Sequence, residues 1–230
     1  MDDGVTNSAW DAYDTAIQTE VNAYNVKFQA TAQTTGYKPV DWKLCKAMLW
    51  VESGGPASSA WTGRVMQIGN SGDPAIGVLR RGGEGSSSIM SIQLAADVKT
   101  DKIDTPTINL RAGIAYLFTR MAQWQEQSVN DPKDPTVRAH TVVPGDTLDG
   151  IAKREGTTVA VLTSMNSLNG PTIHSKQVLK FRKASIQRVI SGWRDFTTGN
   201  IASRYNVGDL DYSAKLDYVL DLFKKLNRQP

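Results

Sequence analysis

The sequence predicts a mainly α-helical domain interrupted by a small α+β module of βααβ order, and three observations carry that prediction. Apolar residues recur at helical spacing in the first half and at the end of the 230-residue chain. Residues 140–183 follow another pattern, of short strand-like runs and turns. The polar stretch QEQSVNDPKDPTVRA, residues 125–139, holds Pro132 and Pro135 and reads as a linker between the two. The domains implied are 1–137 and 184–230 for the helical host and 138–183 for the insert.

Each helix has its own signals. Trp10, Tyr13, Ile17, Val21, Tyr24 and Phe28 line one face of a long amphipathic helix, with Asn7 or Ser8 to cap it and Gly36 beyond its end. A second helix begins at Asp41, buries Leu44, Cys45, Met48, Leu49 and Val51, and stops at Gly54-Gly55. Serines 86 to 88 cap a third, carrying Ile89, Ile92 and Leu94, and INLRAGIAYLFTRMAQW reads as a fourth. After the insert, SIQRVISGWRDF reads as helix again, and Tyr212, Leu216, Val219, Phe223 and Leu226 share a face of the last one.

Composition excludes several chemistries. Both histidines, His140 and His174, lie in the insert, so the helical host has no His for a Ser-His or Cys-His nucleophile. Cys45 is the one cysteine and falls among helical core positions. No His/Cys cluster suggests a metal, no Gly-Lys-Ser/Thr loop suggests a nucleotide, and no cofactor is expected. Between Arg138 and Lys183 stand seven Lys/Arg against three Asp/Glu, in a chain of net charge +3, so the basic excess is local. That segment has one Phe and neither Tyr nor Trp, which argues against nucleic acid as a partner. No run approaches the roughly 18 to 20 apolar residues of a membrane span, and MDDGVTNSAW shows no secretory leader.

What remains is carboxylate chemistry, and Glu52 fits it. It ends an apolar helix, where the dipole is negative, beside Trp50 and Val51, so dipole and desolvation both favour its protonated form. A carboxylic acid kept protonated near neutrality can protonate a glycosidic oxygen. Gly54 and Gly55 are expected to turn the backbone away and leave room for a bulky substrate.

Two resemblances sharpen these readings. HTVVPGDTLDGIAKREGTTVAVLTSMNSLNGPTIHSKQVLKF resembles the LysM module, with PGDTL, IA, a helix ending in Asn, and QxL in the usual order; His140 stands where Tyr is common and Lys176 where Gly is common. LysM modules bind N-acetylglucosamine-containing chains, which implies a site at Gly145, Asp146 and Thr147 and in the loop from Asn166 to Ile173. A structural insert that binds nothing is the alternative.

The host resembles the lysozyme-like lytic transglycosylases, over roughly residues 36–125 and 184–226. Its motifs, in the family's order, are Glu52-Ser53, GRVMQIG at 63–69, NLRAGIAYL at 109–117 and RYNVGDLDYSAKL at 204–216. The resemblance implies that Glu52 is the catalytic acid, that Tyr205 holds its carboxylate, and that Ser53, Met66, Gln67, Tyr116 and Asn206 meet the sugar. The loop GNSGDPAIGVLRRGGEG departs from the family's usual continuation and supplies Asp73 and Glu84. Asp73 is the candidate second carboxylate that an inverting hydrolase needs; its alternative role is a turn cap before Pro74.

The implied function is a peptidoglycan-degrading muramidase, acting by lytic transglycosylation or hydrolysis, with glycan strands as partner. An inactive wall-anchoring scaffold and a chitin-directed glycosidase are the alternatives. Action in the periplasm or cell wall without a visible leader points to phage lysis, an injection system or fusion to a larger protein. An injected antibacterial enzyme would call for a cognate immunity or inhibitor protein.

Overall fold

A computed structural model describes residues 7–100 and 102–226 and divides into two compact units. The first comprises Met1–Trp124 and Ile190–Pro230, the second Gln125–Val189. The division lies outside the 138–183 segment expected for the insert, because the residues on both sides of that segment are strands rather than linker and helix.

The first unit is helical. A 3-10 turn at Ser8–Asp11, capped by the Asn7 side chain, leads into α1 (Asp14–Gln29), whose Ile17, Val21, Tyr24 and Phe28 are buried as their spacing requires. The single turn α2 (Ala32–Thr35) ends at Gly36 in the left-handed conformation. Next comes α3 (Trp42–Ser53), capped by the Asp41 carboxylate and stopped at Gly54, φ +71°. Three short helices follow: α4 (Pro74–Arg81), α5 (Ser86–Ile89) and α6 (Ile92–Lys99).

The single third helix expected from Ser86–Ser88 is therefore two. Met90 is extended, and Ser91 restarts the chain by accepting the Leu94 N–H at 3.1 Å.

Helix α7 (Pro106–Met121) is buried nearly all round; Leu110, Leu117, Phe118 and Met121 have no exposed surface. Its core neighbours include Tyr24 and Phe28 of α1, stacked on Phe118 at ring distances of 4.5 and 5.9 Å. The unit closes with α10 (Thr198–Ala202) and α11 (Tyr212–Leu226), whose Leu216 and Val219 are fully buried and which packs against α3.

Strand β1 (Ala122–Asn130) starts directly after α7 and pairs with β4 (Ala184–Trp193) as a two-stranded ribbon. Two expectations are corrected here. Residues 125–130 of the supposed linker are strand, and SIQRVISGW is strand rather than helix. Both owe their conformation to a ladder partner more than fifty residues away, which local periodicity does not register.

The second unit contains β2 (Arg138–Thr141), α8 (Leu148–Glu155), α9 (Val159–Met165) and β3 (Val178–Phe181), the βααβ order expected. The strands are antiparallel, with His140 opposite Leu179 and Arg138 opposite Phe181. Leu179 and Phe181 alternate inward onto Ile151 and Leu162, and all four are at most 1 % exposed.

Candidate active site

In the first unit, Glu52 borders a cleft of about 440 Å³ together with Met66, Gln67, Asp73, Tyr116, Tyr205 and Asn206. Residues far apart in sequence are gathered here by four elements: the end of α3, the loop before α4, the α7 turn that carries Tyr116, and the turn after α10. Asn70 and Val207 also border the cleft and were not singled out from the sequence.

Burial pushes the Glu52 carboxyl up to about 7. The hydrogen bond from Tyr212 and the polar Asn206 side chain favour the charged form and hold the value down, while the negative charges of Asp209 and Asp73 push it up. The Tyr212 hydroxyl donates to Glu52 Oε1 at 2.7 Å.

The expectation that Tyr205 orients the acid is thus corrected. Tyr205 donates instead to the Met66 carbonyl, at 3.4 Å, and its ring stands between Tyr116, 5.5 Å away, and Tyr212, 6.3 Å away. The signal for Tyr212 was a phenol where an apolar helix face calls only for a hydrocarbon; such a hydroxyl needs a partner.

The loop that carries Met66 and Gln67 is shaped by Asn109 and Gly113, one turn apart on α7. Asn109 is fully buried; its Oδ1 accepts the Met66 N–H at 2.8 Å, and its Nδ2 donates to the carbonyls of Ile68 at 2.8 Å and Ile103 at 3.1 Å. A Cβ on Gly113 would lie 2.5 Å from the Met66 Cβ, so only glycine admits the loop. Bonded on both sides, Gln67 is held at φ +55°, an uncommon conformation for a residue with a side chain. Its side chain donates to the Arg64 carbonyl at 2.9 Å and accepts from Asn70.

Asp73 caps α4 ahead of Pro74. One carboxylate oxygen accepts the Ala75 N–H at 2.8 Å, the other the Gly69 N–H at 2.7 Å. It borders the cleft, but both oxygens are engaged in holding the loop. Glu84 lies outside the cleft lining and pairs with Arg120 at 2.6 Å.

Ser53 and Gly55 also differ from expectation. Ser53 is 3 % exposed and does not border the cleft; its hydroxyl donates to the Leu49 carbonyl at 2.7 Å and accepts the Gly55 N–H at 3.1 Å, locking the helix end. The space beside Gly55 is taken by Trp10, whose ring would meet a Cβ there at 2.1 Å, not by room for substrate.

In the second unit a groove of about 640 Å³ is bordered by Asp146, Thr147, Val159, Thr163 and residues 170–173, which include Ile173. Thr147 also caps α8, accepting the Gly150 N–H at 3.1 Å. Asp146 accepts from the Val143 N–H at 3.0 Å and from Arg154 at 2.7 Å, with His140 Nε2 at 3.0 Å; these contacts hold its carboxyl far below the usual range. Gly145 turns the preceding loop at φ +88° and does not border the groove.

Asn166, expected in the sugar site, does not border the groove either. It ties α9 to β3, donating to the carbonyls of Leu162 and Lys180 and accepting the Lys180 N–H, all at 2.8 Å.

Cys45 is 1 % exposed, and burial raises its thiol to about 12. Among the described residues, no group of three or more His, Cys, Asp or Glu is arranged to hold a metal ion, and no helix is long and apolar enough to cross a membrane.

Comparison with known families identifies residues 140–182 as a LysM domain, a peptidoglycan-binding module. Searches of curated proteins and of solved structures return no match to the chain.

Proposed function

We propose that this chain cleaves the β-1,4 bond between N-acetylmuramic acid and N-acetylglucosamine in peptidoglycan, with Glu52 acting as acid and then as base. One observation carries the reading: a carboxyl raised to about 7 by burial, hydrogen-bonded by Tyr212, at the edge of a cleft that also holds Tyr116, Tyr205 and Asn206. Near neutrality such a group is present in both protonation states, which is what a residue that gives and then takes a proton requires.

The chemistry follows from having one carboxyl at the cleft that is not tied to backbone N–H groups. Protonated Glu52 gives its proton to the glycosidic oxygen as the bond from C1 breaks. The muramic acid 6-hydroxyl then attacks C1, its proton passes to the Glu52 carboxylate, and a 1,6-anhydro ring closes. Inverting hydrolysis needs a second carboxylate free to activate water, at about 6.5 to 9.5 Å. The engagement of both Asp73 oxygens by backbone N–H groups favours transglycosylation over that route.

The LysM domain raises the local concentration of glycan by covalent linkage, without adding a catalytic contact. This reading sets the protein to work in the periplasm or cell wall. Delivered as an antibacterial effector, it would be matched by an inhibitor that blocks the cleft.

Purified peptidoglycan sacculi test the proposal. Wild type should release soluble fragments and Glu52→Gln should not, with chitin turned over poorly by both. Equal release by the two proteins removes Glu52 from the chemistry; release by neither supports a wall-anchoring scaffold instead.

A further inference from the structure

Arg120 lies outside the cleft lining, yet it touches two of the pieces from which the cleft is made and a third segment, outside the lining. It sits in the last turn of α7, one turn after Tyr116, and its guanidinium carbon is 5.9 Å from the centre of the Tyr116 ring. Its Nη1 pairs with Glu84 at 2.6 Å, in the segment that follows α4. Its Nε donates at 2.8 Å to the carbonyl of Arg204, 84 residues further along the chain.

We infer that Arg120 is a positioning residue for Glu52, acting through the turn at residues 204–206. The inference rests on the reading of Glu52 as the acid.

The turn needs such an anchor. The N–H groups of Arg204 and Tyr205 both bond back to the Ile201 carbonyl, at 3.1 and 2.7 Å, as the chain leaves α10. Beyond them Val207 is 67 % exposed, and a Cβ on Gly208 would meet nothing within 4 Å, so the outer part of the turn packs against little. Arg120 therefore holds the carbonyl immediately before Tyr205 and Asn206. Tyr205 is the ring between Tyr116 and Tyr212, the Tyr212 hydroxyl donates to Glu52, and Asn206 borders the same cleft as Glu52.

The residue type matters. A guanidinium presents N–H groups in fixed, diverging directions, so one plane can bond Glu84 on one side and a carbonyl on the other while lying near an aromatic ring. Lysine offers a point charge without that fork. The pair with Glu84, with side chains 27 % and 40 % exposed, contributes little stability alone. Its role here is to aim the guanidinium.

If the turn drifts, the Tyr205 ring shifts against Tyr212 and the Tyr212 bond to Glu52 weakens. That bond favours the ionised acid, so its loss moves the Glu52 midpoint upward from about 7. It also misplaces the acid against the glycosidic oxygen, which lowers kcat more than it alters KM.

The test uses the full chain labelled with carboxyl-¹³C glutamate, with the Glu52 resonance followed by NMR across pH and turnover of peptidoglycan measured in parallel. Arg120→Met and Tyr212→Phe should both raise the Glu52 midpoint. Arg120→Met should lower kcat by about tenfold or more with KM within about threefold, and Arg120→Lys should not restore the midpoint. A midpoint unmoved in Arg120→Met while Tyr212→Phe moves it, or full restoration by Lys, overturns the inference.

Should Arg120→Met fail to fold, Glu84→Gln is decisive. It should shift the midpoint in the same direction by less, and no shift overturns the inference. Wild type that does not turn over peptidoglycan would sink the enzyme reading, while the NMR titration still decides the role of Arg120.

Discussion

Replacing Glu52 by Gln should stabilise the protein, by an amount set by pH. The Glu52 carboxyl titrates at about 7 in the folded protein, against an ordinary value of 4.5. Between those values the folded protein keeps a proton that the unfolded chain has released. Stability is therefore fully present below 4.5, falls as pH rises through the window, and is lost above 7. Each pH unit well inside the window costs about 1.4 kcal/mol, so from pH 5 to pH 8 wild type loses about 2 to 3 kcal/mol on this account. A neutral amide keeps the bond from Tyr212 and escapes the loss. Other titrating groups are shared by the two proteins and cancel in the comparison. Urea unfolding at both pH values measures the difference. The stability gained by Glu52→Gln should be larger at pH 8 by about 2 to 3 kcal/mol; a gain independent of pH would show that Glu52 is not buried in its charged form, and the argument for a raised pKa would fall.

Other substitutions test the supports around the acid. Tyr212→Phe removes a hydrogen bond that favours the carboxylate, so the basic limb of the activity profile should move to higher pH; an unmoved limb would refute the contact. Gly113→Ala, which helix propensity alone would make stabilising, should instead cost about 1 to 3 kcal/mol in urea unfolding, because the new Cβ meets Met66. In the LysM domain, Asn166→Ala should lose about 1 to 3 kcal/mol of stability while the folded protein keeps its affinity for chitooligosaccharides. Ile173→Ala, on the groove, should do the reverse by calorimetry.

The helices with strong periodicity and caps were legible because their signals are local. Asp41 and Gly54 bound α3, and the PGDTL, IA and QxL order marks the βααβ unit. The β1–β4 ribbon was not legible. Ile186, Ile190 and Trp193 recur at spacings that also fit a helix, and the polar residues of β1 show no alternation that would mark a strand.

At the site, Glu52, Met66, Gln67, Asp73, Tyr116, Tyr205 and Asn206 do come together around one cleft. Two of the misassigned residues share a cause. Ser53 and Asn166 are polar residues at helix ends, and their hydrogen bonds are spent on backbone groups that a terminus leaves orphaned or that a strand offers. Tyr212 was assigned to the core from its helix face, and it is fully buried; what the periodicity could not show is that its hydroxyl reaches a carboxylate 160 residues away.

The central claim is that Glu52 alone carries the acid–base chemistry. Mass spectrometry of the fragments released from purified peptidoglycan by wild type, Glu52→Gln and Asp73→Asn tests it most directly. The account predicts 1,6-anhydro-muramic ends from wild type, the same ends from Asp73→Asn at a rate reduced only by its loosened loop, and none from Glu52→Gln. Reducing muramic ends that vanish in Asp73→Asn would contradict it, and would make Asp73 the base of a hydrolase.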